Sequence, residues 1–205
     1  MIIGLLGFIS SGKGTAGEYF VEQGYTSLSF ADSLKNATSA IFGWDRALLE
    51  GDTDESREFR EQVDQFWSNK FGKDITPRYI LQYMGTEVCR HNLLDSIWVD
   101  SLERKIHQHQ NVVITDVRFN NEISFLKALG AKFIQVDRLD TRPEWYELYN
   151  TCMETIPKEW DKFAKAKNIH TSEYEWIGNK DIDYVVENDS TIDDLKLKLS
   201  LIIED

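Results

Sequence analysis

Two cysteines in 205 residues, Cys89 and Cys152, are too few and too far apart for a disulfide framework. They also lack the C-x-x-C spacing of a zinc site, and they read as the reduced thiols of a cytoplasmic protein. Basic residues are short as well: 23 Lys and Arg stand against 35 Asp and Glu, a net charge of −12. A chain of that sign does not bind a nucleic-acid polymer through a broad basic face. Any phosphate must then be met at local sites, and the few arginines become informative. No apolar run approaches membrane-spanning length, and Met1 opens directly on a strand-like run without the charged segment of a secretory leader. Low-complexity tracts and internal repeats are missing too. What remains is length enough for one α/β domain with a proper core and room for an insertion.

The stretch that is present and informative is Gly7-Phe8-Ile9-Ser10-Ser11-Gly12-Lys13-Gly14-Thr15. The apolar run before it, residues 1–6, suits a central strand buried on both faces. Residues 16–23 after it have helical spacing, with Gly24 as a stop. A strand, a glycine-rich turn and a helix in that order turn backbone N–H groups inward, and the helix N-terminus adds partial positive charge at the same spot. That is a cradle for the phosphates of a nucleotide, with Ser11, Gly12, Lys13, Gly14 and Thr15 as its contacts and Lys13 reaching the β- and γ-phosphates. Gly7, Gly12 and Lys13 meet the spacing G-x-x-x-x-G-K, while Gly14 stands where Ser or Thr is usual and Thr15 follows.

The rest of the chain alternates strands and helices. Residues 25–30 predict a second strand, and Asp32 or Ser33 caps a helix that stops at Gly43. The charged stretch 51–72 predicts a loop and an amphipathic rim helix carrying Phe59, Val63, Phe66 and Trp67. Thr76 and Pro77 open another helix, and residues 95–108 give one with Ile97, Trp98, Leu102 and Ile106 inward. Residues 111–119 form a buried strand ending in charge. Asn120 or Asn121 caps the helix that follows, 122–129, and residues 131–137 form the next strand. Residues 139–180 are irregular and aromatic, and their length implies a lid of one or two helices. A last strand, 183–188, and a last helix, 193–203, close the chain. The expected architecture is a three-layer α/β/α domain over residues 1–205, with a central, mostly parallel sheet and a helical lid insertion at 139–180.

Ligands of open α/β sheets sit beyond the carboxyl ends of the strands. Asp116, Arg118 and Arg138 fall at such ends, and Arg142 follows. Lys13, Arg118, Arg138 and Asp116 are therefore the candidates for phosphoryl transfer: cations to clamp the moving group, and Mg²⁺ bridging the phosphates with Thr15 as a protein contact and Asp116 as a water-mediated one. Each has a bland alternative. Asp116 could cap a loop, Arg118 could pair with Glu122 four residues on, and Arg142 and Lys35 could be solvated charges. Trp145, Trp160 and Trp176 could stack a base or pack a lid. His170-Thr171-Ser172-Glu173 could cap a turn or touch a ligand from the lid. Phe66 and Trp67 fit either an interface in a homodimer or the rim of the core.

Taken together, these residues resemble the bacteriophage deoxynucleoside monophosphate kinases, relatives of the adenylate, guanylate and dephospho-coenzyme A kinases that share the P-loop kinase fold. The likeness runs through residues 7–15, 30–35, 76–78, Leu81-Gln82-Tyr83-Met84-Gly85-Thr86-Glu87 with Arg90, Val113–Phe119 with Asn121 and Glu122, 136–138, His170 with Ser172 and Glu173, and Asn188-Asp189-Ser190 before Leu195. It implies transfer of the ATP γ-phosphate to a dNMP, giving dNDP and ADP, in the cytoplasm (of a bacterial host, were the chain phage-encoded). It also implies an acceptor region at 44–95. The dNMP contacts would be Asp32, Leu34, Lys35, Arg78, Gln82, Gly85, Thr86, Arg118, Glu122 and Trp145. Ile9 and Ser10 stand where the family's loop can carry basic residues. A kinase for another small phosphoacceptor, such as dephospho-coenzyme A, shares these features, and a nucleotide-binding regulator without transfer would lack the arginines.

Overall fold

A computed structural model describes residues 1–204. The first strand, β1 (Ile2–Leu6), is buried from Ile3 onward and leads through the glycine-rich loop into α1 (Lys13–Glu22). After the short β2 (Thr26–Leu28) come α2 (Ala31–Phe42), α3 (Asp54–Glu61), α4 (Gln65–Phe71), α5 (Pro77–Gln82) and α6 (Ile97–Ile106). The chain then returns to β3 (Val112–Ile114), α7 (Asn120–Ala128) and β4 (Lys132–Asp137). It ends with α8 (Tyr146–Thr155), α9 (Pro157–Ala166), β5 (Tyr184–Glu187) and α10 (Ile192–Glu204). The five strands form one sheet in the order β2-β3-β1-β4-β5. β1 runs parallel to both β3 and β4, and β4 parallel to β5. Because parallel neighbours need crossovers, helices cover the sheet and its central strands are apolar on both sides.

The chain divides into two compact units, one made of Met1–Ser27 with the chain from Gln110 onward, the other of Leu28–His109. In the first, Ile3 and Leu5 of β1, Val113, Ile134 and Val136 meet Ala16 and Phe20 of α1 and Leu195 and Leu199 of α10. A satellite cluster joins Tyr149 and Cys152 of α8 to Trp160 and Ala164 of α9. Of the one or two helices expected between residues 139 and 180, two are present. Trp160 is 1% exposed, with Tyr149 edge-on at 5.0 Å and Tyr174 at 5.1 Å.

In the second unit Leu49, Ile75 and Ile80 are buried. Thr76 caps α5 by accepting from the Tyr79 amide at 3.1 Å, with Pro77 at the first turn as expected. Tyr83–His91 continues α5 as a π-helical stretch. It keeps Gly85 and Thr86 buried, and the Trp98 indole donates to the Gly85 carbonyl at 2.9 Å.

Several local expectations need correction. Strands 25–30 and 111–119 shrink to three residues each, because the flanking segments turn to start a helix in one case and to reach the site in the other. α2 starts at Ala31, so neither Asp32 nor Ser33 caps it; Ser29 Oγ accepts from the Ala31 amide at 3.1 Å instead. Residues 51–72 hold two helices, not one, because Thr53 and Asp64 each cap their own. Trp67 is tied into the unit by its indole bond to the Phe42 carbonyl at 2.9 Å, while Phe66 is 62% exposed.

Candidate active site

The loop between β1 and α1 is held open by glycine geometry. Gly7 has φ +143° and Gly12 φ +103°, values that side chains rarely tolerate. A methyl carbon on Gly7 would lie 2.3 Å from the Val136 carbonyl oxygen, and one on Gly12 would lie 2.2 Å from Asn188 Nδ2. Ser10 adopts φ +63°, the kind of local strain that concentrates at functional sites. Asn188, just past β5, donates its Nδ2 to the Ser11 carbonyl at 2.8 Å and braces the loop from beneath. Ser11 is fully buried, and its hydroxyl meets no partner among the described residues.

Lys13 folds back over this loop. Its ammonium donates to the Gly7 carbonyl at 2.7 Å and to the Phe8 carbonyl at 2.6 Å. Burial, reinforced by the Arg118 charge and opposed by Glu173, brings its pKa from the usual 10.5 down to about 8. A depression of that size costs the free protein roughly 3 kcal/mol at pH 7. Between about pH 8 and 10.5 the unfolded chain binds more protons, so this cost fades as pH rises through the window and is complete below it.

Arg118 sits four residues beyond β3. Its backbone is pinned by Glu122, which is 2% exposed and accepts from the amides of Arg118 at 2.8 Å and Phe119 at 3.1 Å. The Glu122 carboxylate thus meets the backbone at the start of α7. The Arg118 guanidinium instead faces Glu173 at 3.8 Å. With side chains 41% and 24% exposed, that pair contributes no more than about 1 kcal/mol.

The remaining candidates are placed as follows. Asp116 is half-buried beyond the end of β3, and Thr15 is half-buried in the first turn of α1. Arg138 is exposed and paired with Asp140 at 2.8 Å. Arg142 is not a solvated charge: it forms a two-pronged pair with the buried Asp137. Trp145 packs within the aromatic cluster of α8 and α9. In the second unit Arg78 pairs with Glu61 at 2.6 Å and Lys35 with Glu50 at 2.5 Å. Asp32 pairs with Arg46, Leu34 lies against Gly85, and Gln82 is exposed.

Three contributors carry no signal in local sequence. Phe8, inside the loop, is 5% exposed because Trp145, Tyr146 and Trp176 ring it at 5.9, 5.4 and 5.1 Å. Asn188 and Glu173 arrive from more than 150 residues downstream. An open hollow of about 510 Å³ lies along Glu18, Val21 and Glu22 of α1, touching the loop only at Gly14. Its two carboxylates oppose a polyphosphate, so the cradle around Lys13 is the better phosphate site.

The parallel sheet with a glycine-rich turn after its first strand is the architecture of a P-loop kinase. The family model for deoxynucleotide monophosphate kinase matches residues 46–148. A protein of Acanthamoeba polyphaga mimivirus named "Putative deoxynucleotide monophosphate kinase" is 37% identical over 169 residues, covering 72% of this chain and 82% of that one. The chain belongs to the deoxynucleotide monophosphate kinase family. The loop at residues 7–15 lies outside the stretch that the family model matches. Among solved structures, TT1252 of Thermus thermophilus is 18% identical with a TM-score of 0.49, covering 100% of this chain and 96% of that one. The dephospho-CoA kinase of Campylobacter jejuni is 15% identical with a TM-score of 0.38, covering 99% and 95%. Likenesses at that level do not bear on function. Among the described residues, no helix is long and apolar enough to cross a membrane.

Proposed function

We propose that the chain moves the γ-phosphoryl group of ATP to a deoxynucleoside monophosphate, with the loop from Gly7 to Thr15 as the donor site. The observation that supports this most directly is the buried, desolvated Lys13 ammonium over a loop whose glycines leave room for phosphate. Phosphoryl transfer needs alignment, exclusion of water and positive charge on the moving group, and little covalent work. Lys13 and the loop amides bind the β- and γ-phosphates. Arg118 and Arg138 supply further positive charge, with Asp116 at the same sheet end. For the acceptor the proposal assigns Arg78, Lys35, Gln82, Gly85 and Thr86 of the second unit, with Leu34 beside them.

Among the described residues no three His, Cys, Asp or Glu side chains gather to hold a metal. The Thr15 hydroxyl in the first turn of α1 and the half-buried Asp116 carboxylate are oxygen donors of the kind Mg²⁺ takes, and an ion travelling on the phosphates would neutralise charge there. Thr15 would contact it directly and Asp116 through water. ADP formation measured with each of the four dNMPs in turn, with dephospho-coenzyme A as a control acceptor, tests the assignment; turnover no higher than the acceptor-free blank for all four dNMPs would sink it.

Two outcomes follow. ATP binding restores the Lys13 proton, so it takes up roughly half a proton at pH 8 and almost none at pH 6. Calorimetry in buffers of different ionisation enthalpy reads that number, and zero uptake at pH 8 would separate Lys13 from the phosphates. The helices α8 and α9 act as a lid, so residues 139–180 gain amide protection when ATP and dNMP bind together. Equal exchange with and without ligands would count against a lid. Of the two aromatics that suggest a homodimer, Phe66 and Trp67, only Phe66 is among the exposed large apolar residues, and a monomer by sedimentation at assay concentration would end that reading.

A further inference from the structure

The turn at His170-Thr171-Ser172-Glu173 is built with care for a surface segment. The His170 ring nitrogen Nδ1 accepts from the Ser172 amide at 3.3 Å and lies 2.8 Å from its hydroxyl. Just beyond, Glu175 accepts from the Asn120 amide at 3.0 Å, and Asn179 donates to the Asn120 side chain at 2.7 Å. Trp176 packs on Phe8 of the phosphate loop. The turn is thus tied to both the segment after β3 and the loop. The Glu173 carboxylate faces the Arg118 guanidinium at 3.8 Å and also bears on Lys13.

An anion at this spot is unexpected, because the same two cations are assigned to an anionic substrate. A structural pair would look like Asp137 with Arg142, which is two-pronged and has its carboxylate buried. The Glu173 pair is long, single-pronged and partly exposed, and Glu122 fixes the Arg118 backbone so that only the side chain need turn. A loose pair of that kind exchanges partners readily.

We propose that Glu173 is a positioning residue, which holds the Arg118 guanidinium beside Lys13 while phosphate is absent and yields it to the substrate's phosphate on binding. The inference rests on the reading of Arg118 as a phosphate ligand. A merely structural residue, when lost, weakens binding; a holding carboxylate, when neutralised, tightens it, because a competitor has gone.

The test measures Kd for ATP and for inorganic tripolyphosphate by calorimetry at fixed ionic strength, in the wild-type chain, Glu173→Gln, Arg118→Ala and the double variant. Glu173→Gln is expected to bind both ligands about two- to fivefold more tightly. Its KM for ATP and its kcat should fall together, since the guanidinium is no longer preset. In the Arg118→Ala background the tightening should shrink to less than half, the signature of coupled residues. Unchanged or weaker binding in Glu173→Gln, or equal tightening in both backgrounds, would overturn the inference. Should Glu173→Gln fail to fold, Glu173→Asp carries the test: it withdraws the carboxylate by one methylene and should tighten binding in the same direction. Tightening through Arg118 in a chain that phosphorylates no dNMP would leave this inference standing while the assigned reaction fails. Turnover of dNMP with no tightening would do the reverse.

Discussion

Lys13→Ala is expected to phosphorylate dNMP at least about a thousandfold more slowly than the wild-type chain. The size follows from where the ammonium lies. Burial has already taken much of its hydration, which is why its pKa stands near 8. A charge in such a setting acts on a neighbouring anion with little screening. Its present partners are the carbonyls of Gly7 and Phe8, neutral acceptors that it can exchange for phosphate oxygens without moving its backbone. Removal of one preset donor to a developing negative charge costs about 10²–10³ in kcat, and of a full cation on a transferring phosphoryl group about 10³–10⁵. The KM for ATP should change far less, because the loop amides still bind the ground state. A variant with kcat within tenfold of the wild type would remove Lys13 from the donor site.

Gly7→Ala should disable the loop by a different route. The backbone angle at Gly7 is one that alanine rarely adopts, a cost of about 1–3 kcal/mol. The added carbon would also lie 2.3 Å from the Val136 carbonyl oxygen. That oxygen belongs to β4, which is bonded to β1 on one side and β5 on the other and cannot withdraw. The loop must move instead, and with it the amides that face phosphate. Unfolding free energy should fall by about 3 kcal/mol or more, and ATP affinity at least about tenfold. Gly14→Ala is the control for stability: a Cβ there has no neighbour within 4 Å and the position is helical, so its melting temperature should hold or rise. A Gly7→Ala protein as stable as Gly14→Ala, with unchanged ATP binding, would show that the loop tolerates a side chain there.

The part of the site that is local in sequence was legible, and the part assembled by tertiary contact was not. β1, the loop and α1 follow one another within 22 residues, and each is announced by its own chemistry: an apolar run, paired glycines, a helical spacing. Thr76 with Pro77 declared α5 for the same reason. Glu122 shows the limit of spacing, which cannot tell that a carboxylate four residues on accepts from two backbone amides. Strand lengths misled, since Val117 and Phe30 are apolar yet buried outside the sheet. The π-helical stretch at Tyr83–His91 shows no composition that distinguishes it from an α-helix. Asn188 and Glu173 reach the loop only because β5 and the segment after α9 fold against it. Their motifs stood out by resemblance, but residue type alone assigned them no partner.

The ring of aromatics around Phe8 has an optical consequence. The six tryptophans divide evenly, with Trp44, Trp67 and Trp98 in one unit and Trp145, Trp160 and Trp176 in the other. Two of the latter three touch a side chain of the phosphate loop itself. Three of the six indoles therefore belong to a cluster joined to the loop through Phe8, and the other three lie in the unit that Phe8 does not belong to. A change at the loop is thus expected to alter tryptophan fluorescence through Trp145 and Trp176, and replacing those two with Phe should abolish the change.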